Sequence, residues 1–286
     1  MPAEPIVEAA PAKLNLDLYV ERRRPDGYHD LDSIVTFTTF GDRLTLWPAG
    51  ELRVDVEGPL ADALTAAGET LVAQAIVGAA AAFDRSPDVR VRLEKHIPLA
   101  AGLGGGSADA AAALRALARH WDVRPDDARL AAVAASLGAD VPVCLHGRPV
   151  RMRGTGELLQ AAPDLPPLEV VLVNPGVPCP TGAVYAALPP DDLGLAPERP
   201  GDDERVPRWL VGGRNAMERA ARAVQPHITG ALDRLAATGP VVTRLCGSGA
   251  TVFGVYADAA TADEAAARLR AVAPATWAKR TTTLGS

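Results

Sequence analysis

Residues 98 to 108 read PLAAGLGGGSA, with glycine at 102, 104, 105 and 106, and an alanine-rich run follows at once. Gly102, Gly104, Gly105 and Gly106 allow backbone N–H groups to approach a ligand closely and permit positive φ. A helix is expected from Ser107 to His120. The unpaired N–H groups of its first turn and its dipole would complete a cradle for phosphate. The stretch lacks the Gly-Lys-Ser/Thr ending of a P-loop, and it has Ser107 where a dinucleotide fingerprint needs its third glycine. A linker in which Ser107 merely caps the helix is the competing interpretation.

Lysine occurs only at positions 13, 95 and 279, so a lysine inside a motif stands out. Lys13 lies in PAKLNLDLYV, and Lys95 just precedes the glycine loop. Asn15 is two residues from Lys13 and shares its strand face. Asp140, in LGADVPVCLHG, stands two residues before Pro142 on constrained backbone that suits a fixed carboxylate base; it would equally serve as a helix cap. Aromatic residues are 4% of the chain, which draws attention to Tyr28 in the turn DGYH and to Tyr185 after PCPTGAV. Cys144, Cys179 and Cys246 are odd in number and far apart, with no disulfide framework or zinc spacing among them.

Several elements must position these residues. Strands are expected at 6–20 and 31–47, joined by the turn RRRPDGYHD, and at Val89 to Leu93, whose apolar residues alternate. Helices are expected from Glu69 to Phe83 and from Pro125 to Leu137. A strand pair is placed in PVCLHGRPVRMRG and a buried strand in LEVVLVNPG. Residues 188–207, proline-rich and acidic, form an expected long surface loop. Helices at 215–224 and 226–238 are then followed by strands at 241–245 and 251–256, joined by the turn CGSGA, and by a helix at 261–271. The chain is therefore expected to be α/β (α+β), with two domains over 1–165 and 166–286. Its 286 residues can bury two cores, and 48% hydrophobic with 22% charged residues excludes a wholly disordered chain. The net charge of -6 argues against a general nucleic-acid surface. The acidic, proline-bearing N-terminus and short apolar runs point to a cytoplasmic protein without membrane or implied protein partners.

Taken together, PAKLNLDLYV, RRPDGYHDLDSI, PLAAGLGGGSA, LGADVPVCLHG, VNPGVPCPTGAVY and LCGSGATVFG resemble, in order, the motifs of the GHMP kinase superfamily. They resemble most of all its branch that acts on a cytidine-diphosphate-linked methylerythritol. The resemblance spans nearly the whole chain. It implies an N-terminal domain of the ribosomal S5 domain 2-like fold, a ferredoxin-like C-terminal domain, ATP as co-substrate with Mg²⁺, and transfer of phosphoryl to the alcohol's 2-hydroxyl. It implies Asp140 as base and Lys13 as its cationic partner. ATP would meet Thr70, Lys95, Pro98, Leu99, Ala100, Ala101, Gly102, Leu103, Gly104, Gly105, Gly106, Ser107 and Ala108. Asn15, Tyr28, His29, Thr181 and Tyr185 would bind the alcohol, the two tyrosines stacking on cytosine; the metal ligands stay unassigned. Thr70, Ala100, Ala101 and Ala216 depart from the family pattern. A kinase for homoserine or mevalonate is the alternative enzyme, and a nucleotide sensor without catalysis the alternative class. The base-reading DGYH and Tyr185 disfavour the first, and the retained Lys13 and Asp140 disfavour the second.

Overall fold

A computed structural model gives the fold of residues 4–67, 70–202, 204–273 and 276–286. In chain order its elements begin with β1 (Ile6–Asn15), β2 (Tyr19–Arg23), β3 (His29–Pro48), β4 (Arg53–Glu57), α1 (Ala61–Ala67), α2 (Leu71–Ala82) and β5 (Val89–Glu94). Next come α3 (Gly105–His120), α4 (Ala128–Leu137), α5 (Asp140–His146), β6 (Val150–Gly154), β7 (Leu158–Ala161) and β8 (Glu169–Asn174). The chain ends with α6 (Thr181–Ala186), α7 (Arg208–Gly212), α8 (Glu218–Val224), α9 (His227–Ala236), β9 (Val242–Leu245), β10 (Val252–Tyr256), α10 (Ala259–Val272) and β11 (Trp277–Thr282). The contacts group these into two compact units.

The first unit comprises the described residues of Met1–Ala12, Gly41–Leu99 and Gly104–Gly147. In β5, Val89, Val91 and Leu93 are buried in the alternation expected of a half-buried strand. That strand pairs antiparallel with residues 43–48 of β3 and parallel with β4. Helix α3 is central: its alanines are buried, and their small side chains let α2, α4 and α5 pack against it.

The second unit comprises Lys13–Phe40, Ala100–Leu103 and the described residues of Arg148–Ser286. β2 and the start of β3 form a hairpin with a bulge between Val20 and Arg22, and residues 31–35 of β3 also pair with β6. A second sheet runs β11-β8-β10-β9, all antiparallel. The apolar run Val170, Val171, Leu172 and Val173 in β8 is fully buried there, under α9 and α10.

Several expectations shift. The strand expected over 6–20 breaks at 16–18, between β1 and β2. The helix after the glycine loop starts at Gly105 with Gly104 as its cap, so Ser107 lies in the first turn instead of capping it. Helix α2 opens on Thr70, whose hydroxyl accepts from Ala73 N–H; the expected start at Glu69 lies outside the described residues. Residues 140–146 are a helix and not the first strand of a pair, because Pro142 sits in the first turn, where its missing N–H costs no intrahelical bond. The loop 188–207 contains a 3₁₀ turn at Pro190–Asp192, and Arg199 within it is buried. The expected division near residue 165 falls between β7 and β8.

Candidate active site

In the second unit, β1 delivers Lys13 and Asn15 to one face, both buried at 4% and 1% exposure. The Lys13 ammonium donates to Asn15 Oδ1 at 3.1 Å, and Asn15 Nδ2 donates to Ser33 Oγ at 2.8 Å. The Ser33 hydroxyl in turn donates to the carbonyl of Asp17 at 2.6 Å. Because that single proton is used, Ser33 can only accept from Asn15, which turns the amide's oxygen toward Lys13. The backbone N–H of Lys13 donates to Leu103 O at 2.8 Å, so the same residue fastens the middle of the glycine loop.

The loop segment 100–103 is also held by the turn CGSGA, residues 246–250. Thr251 N–H donates to Ala101 O at 3.1 Å, and Cys246 Sγ donates to Gly102 O at 3.3 Å. Gly102 has φ +75°, and a Cβ there would lie 2.6 Å from Cys246 O and 2.7 Å from Gly249 O, so only glycine fits. Asn215 supports the turn from behind, donating to Leu245 O and Gly247 O at 2.9 and 2.7 Å. Ala100 has φ +48°, a left-handed conformation that favours glycine.

The aromatic residues divide. His29 and Tyr185 stack at 4.7 Å between ring centroids and 19° between planes, whereas Tyr28 is 66% exposed. Burial, with Arg23 nearby, holds the His29 imidazole below its usual pKa, so it is neutral near pH 7. Thr181, one helical turn before Tyr185 on α6, shares a hydrogen bond with Ser248 Oγ at 2.8 Å.

In the first unit, Gly104, Gly105, Gly106 and Ser107 form the cap and first turn of α3, presenting N–H groups that have no intrahelical acceptor. A Cβ at Gly105 would lie 3.0 Å from Ile97 Cγ2 and 3.2 Å from Lys95 Nζ, so the chain passes closely there. Leu71, next to Thr70 at the start of α2, lies against Gly106. Ala108 is buried, while Pro98 and Leu99 are half-buried at the loop's entry. Asp140 is half-buried and opens α5.

Lys95 points into the protein. At 1% exposure its ammonium pairs with Asp42 and with Asp109 Oδ2, the latter at 2.7 Å. Burial works against the ammonium, but Asp109 and Asp42 outweigh it and keep its pKa above the ordinary lysine value. Burial raises the Asp109 carboxyl, Lys95 opposes and Asp42 adds to the rise, and the balance lies at about 8. Among the described residues, Asp109 Oδ1 has no hydrogen-bond partner. Asp42 Oδ1 accepts the N–H groups of His96 and Ile97, so the triad ties the loop's entry to α3. The side chain of Lys95 thus anchors the loop, where sequence reasoning placed it near the nucleotide.

Sequence reasoning missed Ser33, Asp17, Asp42, Asp109, Asn215 and Ser248. Of these only Ser248, within the second glycine-rich turn, carried a visible signal.

The class is defined by these features and by the family comparisons: the description GHMP kinases N terminal domain matches residues 70–148, and GHMP kinases C terminal matches residues 201–275. A Paramagnetospirillum magneticum protein named 4-diphosphocytidyl-2-C-methyl-D-erythritol kinase is 46% identical over 273 residues, covering 94% of this chain and 95% of that protein. One of the same name from Jannaschia sp. is 48% identical over 259 residues, covering 90% and 91%. A crystal structure of 4-(cytidine 5'-diphospho)-2C-methyl-D-erythritol kinase superposes with a TM-score of 0.81 at 35% identity, covering 98% of this chain and 100% of that one. The chain belongs to the 4-diphosphocytidyl-2-C-methyl-D-erythritol kinase family.

Proposed function

We propose that this protein transfers the γ-phosphoryl group of ATP to the 2-hydroxyl of 4-diphosphocytidyl-2-C-methyl-D-erythritol, a step of the non-mevalonate route to isoprenoid precursors. The observation that carries the reading is the end of β1, where one residue, Lys13, both holds the glycine loop through its backbone and presents an ammonium oriented by Asn15.

Phosphoryl transfer asks the protein for alignment, charge neutralisation and a destination for the hydroxyl proton. Asp140 takes that proton. The ammonium of Lys13 offsets the charge that develops on the transferred group. Asn15, fixed by Ser33, binds a hydroxyl of the alcohol. The free N–H groups of residues 105 to 107, together with the loop from Pro98 to Ala108, receive the ATP phosphates, and Thr70 lies toward the adenine. The cytosine is read by Tyr185, His29 and Tyr28, with Thr181 beside them. The neutral state of His29 suits a hydrogen bond to an uncharged base.

Among the described residues no three His, Cys, Asp or Glu side chains converge as a metal site. Mg²⁺ would come to this chain with the phosphates of ATP, as that ion commonly does, and would supply charge neutralisation there. Residues 1–165 would form the domain with the ATP loop and catalytic pair, and 166–286 the second domain. No described helix is long and apolar enough to cross a membrane. The setting proposed for this protein is the cytoplasm.

Coupled ADP release, with alcohols that carry or lack the cytidine diphosphate group, tests the reading. Turnover should require the cytidylyl alcohol and fall by about 10²-fold or more in Asp140→Asn, the scale of a positioned base. Equal turnover of homoserine or mevalonate, or an undiminished Asp140→Asn, would refute it.

A further inference from the structure

Arg199 lies between two prolines in an acidic stretch, where an arginine would ordinarily be solvated. Its side chain is instead 4% exposed. The guanidinium forks onto Asp17, with Nε 2.6 Å from Oδ2 and Nη2 3.2 Å from Oδ1, and Nη1 reaches Asp32 Oδ1 at 2.8 Å. Asp17 and Asp32 are each 1% exposed. Asp32 has further cations in Arg151 and Arg153, at 2.6 and 3.3 Å. Asp17 has Arg199 as its ion pair.

Asp17 is also the far end of the chain that orients Lys13. Its Oδ1 accepts the N–H of Ile34 at 2.8 Å, and its carbonyl accepts the Ser33 hydroxyl. From Ser33 the links run to Asn15 and then to the Lys13 ammonium. The stretch is fastened to β2 as well: Gly194 N–H donates to Val20 O at 2.9 Å, and Arg199 lies 5.4 Å over the Tyr19 ring. A bidentate arginine on a buried carboxylate is the rigid kind of fastening, which a lysine cannot reproduce.

We propose that Arg199 is a positioning residue for the phosphoryl acceptor: by pairing with Asp17 it fixes Asp17, Ser33 and Asn15 in the register that holds the Lys13 ammonium, making the proline-rich loop a working part of the site. The proposal rests on the functional reading above. Removing the guanidinium leaves the buried Asp17 carboxylate without its ion-pair partner, with only the more distant Arg244 charge acting on it, and the strand end that carries Lys13 and Asn15 loosens.

The test compares the wild type with Arg199→Met, Arg199→Lys, Asp17→Asn and the double variant Asp17→Asn/Arg199→Met. Each is assayed with ATP and the cytidylyl alcohol varied in turn, alongside hydrogen exchange of peptides covering Val20, Ile34 and residues 193–201. Arg199→Met should lose roughly tenfold or more in kcat/KM for the alcohol while KM for ATP stays within about twofold. Exchange in those peptides should speed up, and Arg199→Lys should fall between the two proteins. The double variant should recover part of the loss, because an amide at 17 needs no counter-charge and still accepts from Ile34. Arg199→Lys, which keeps the charge and loses the fork, carries the comparison if Arg199→Met does not fold. Unchanged constants in a folded variant would overturn the proposal, as would equal losses toward both substrates with no recovery in the double variant. A wild type that does not turn over the alcohol would overturn the functional reading instead, and the proposal with it.

Discussion

Replacing Lys95 with Met removes the cation that bridges two buried carboxylates. The side chains of Lys95, Asp42 and Asp109 are 1%, 0% and 3% exposed, so water cannot take over the role of the ammonium. Taking one partner from such a pair costs about 3–5 kcal/mol. Asp109 softens the loss, because its carboxyl already titrates at about 8 and accepts a proton readily near neutrality. Asp42 does not escape: its other oxygen is engaged by His96 and Ile97 N–H. We therefore expect the lower end, about 3 kcal/mol, which corresponds to a fall in melting temperature of about 6–12 °C. Since His96 and Ile97 lead into the glycine loop, the affinity for ATP should fall with it. Urea unfolding and ATP titration of the purified variant measure both. A loss below about 1 kcal/mol with unchanged ATP affinity would refute the anchoring role, because an exposed pair would give that value.

The pH dependence of the same triad is visible in Asp109→Asn. The folded pKa of Asp109, about 8, exceeds its unfolded value of about 4, so its contribution to stability is complete below about pH 4 and is lost as pH rises to about 8. The stability difference between wild type and variant should accordingly slope across that window, by at most about 1.4 kcal/mol per pH unit, and be flat above it; a flat difference throughout would contradict the shifted carboxyl. Gly102→Ala should weaken ATP binding and cost about 2–4 kcal/mol, from the left-handed φ and the overlap with Cys246 O and Gly249 O, as read by titration and unfolding. Tyr185→Ala removes the partner of His29 and should raise KM for the cytidylyl alcohol roughly tenfold while leaving KM for ATP nearly unchanged; equal effects on both would remove Tyr185 from base recognition.

The sequence made local placement legible: spacing alone puts Lys13 and Asn15 on one strand face, where the structure joins them by a hydrogen bond, and the glycines mark the close approach that Gly102 makes to Cys246 O. What holds them was not legible. Ser33, Asp17 and Arg199 meet Lys13 and Asn15 only through pairings across the sheet and a loop distant in sequence, Arg199 being 182 residues from Asp17. Lys95 shows the same limit: the sequence places a lysine beside a phosphate loop, but its burial between Asp42 and Asp109 depends on packing that no short window contains. The strands with clean alternation, such as β5, and the continuous apolar run of β8 were plain. Short elements such as α7 and β4 had no cap or period strong enough to mark them.

The site of phosphorylation is the most direct test. The 2-hydroxyl of the methylerythritol unit sits on a tertiary carbon that bears no hydrogen, so a phosphate ester there has no three-bond coupling to a carbinol proton. Proton-coupled ³¹P NMR of the product formed from ATP and the cytidylyl alcohol should show a new monoester resonance without that splitting, with the diphosphate resonances of the substrate retained. A doublet or triplet, marking a secondary or primary ester, or ADP formed with no phosphate on the alcohol, would contradict the assigned reaction.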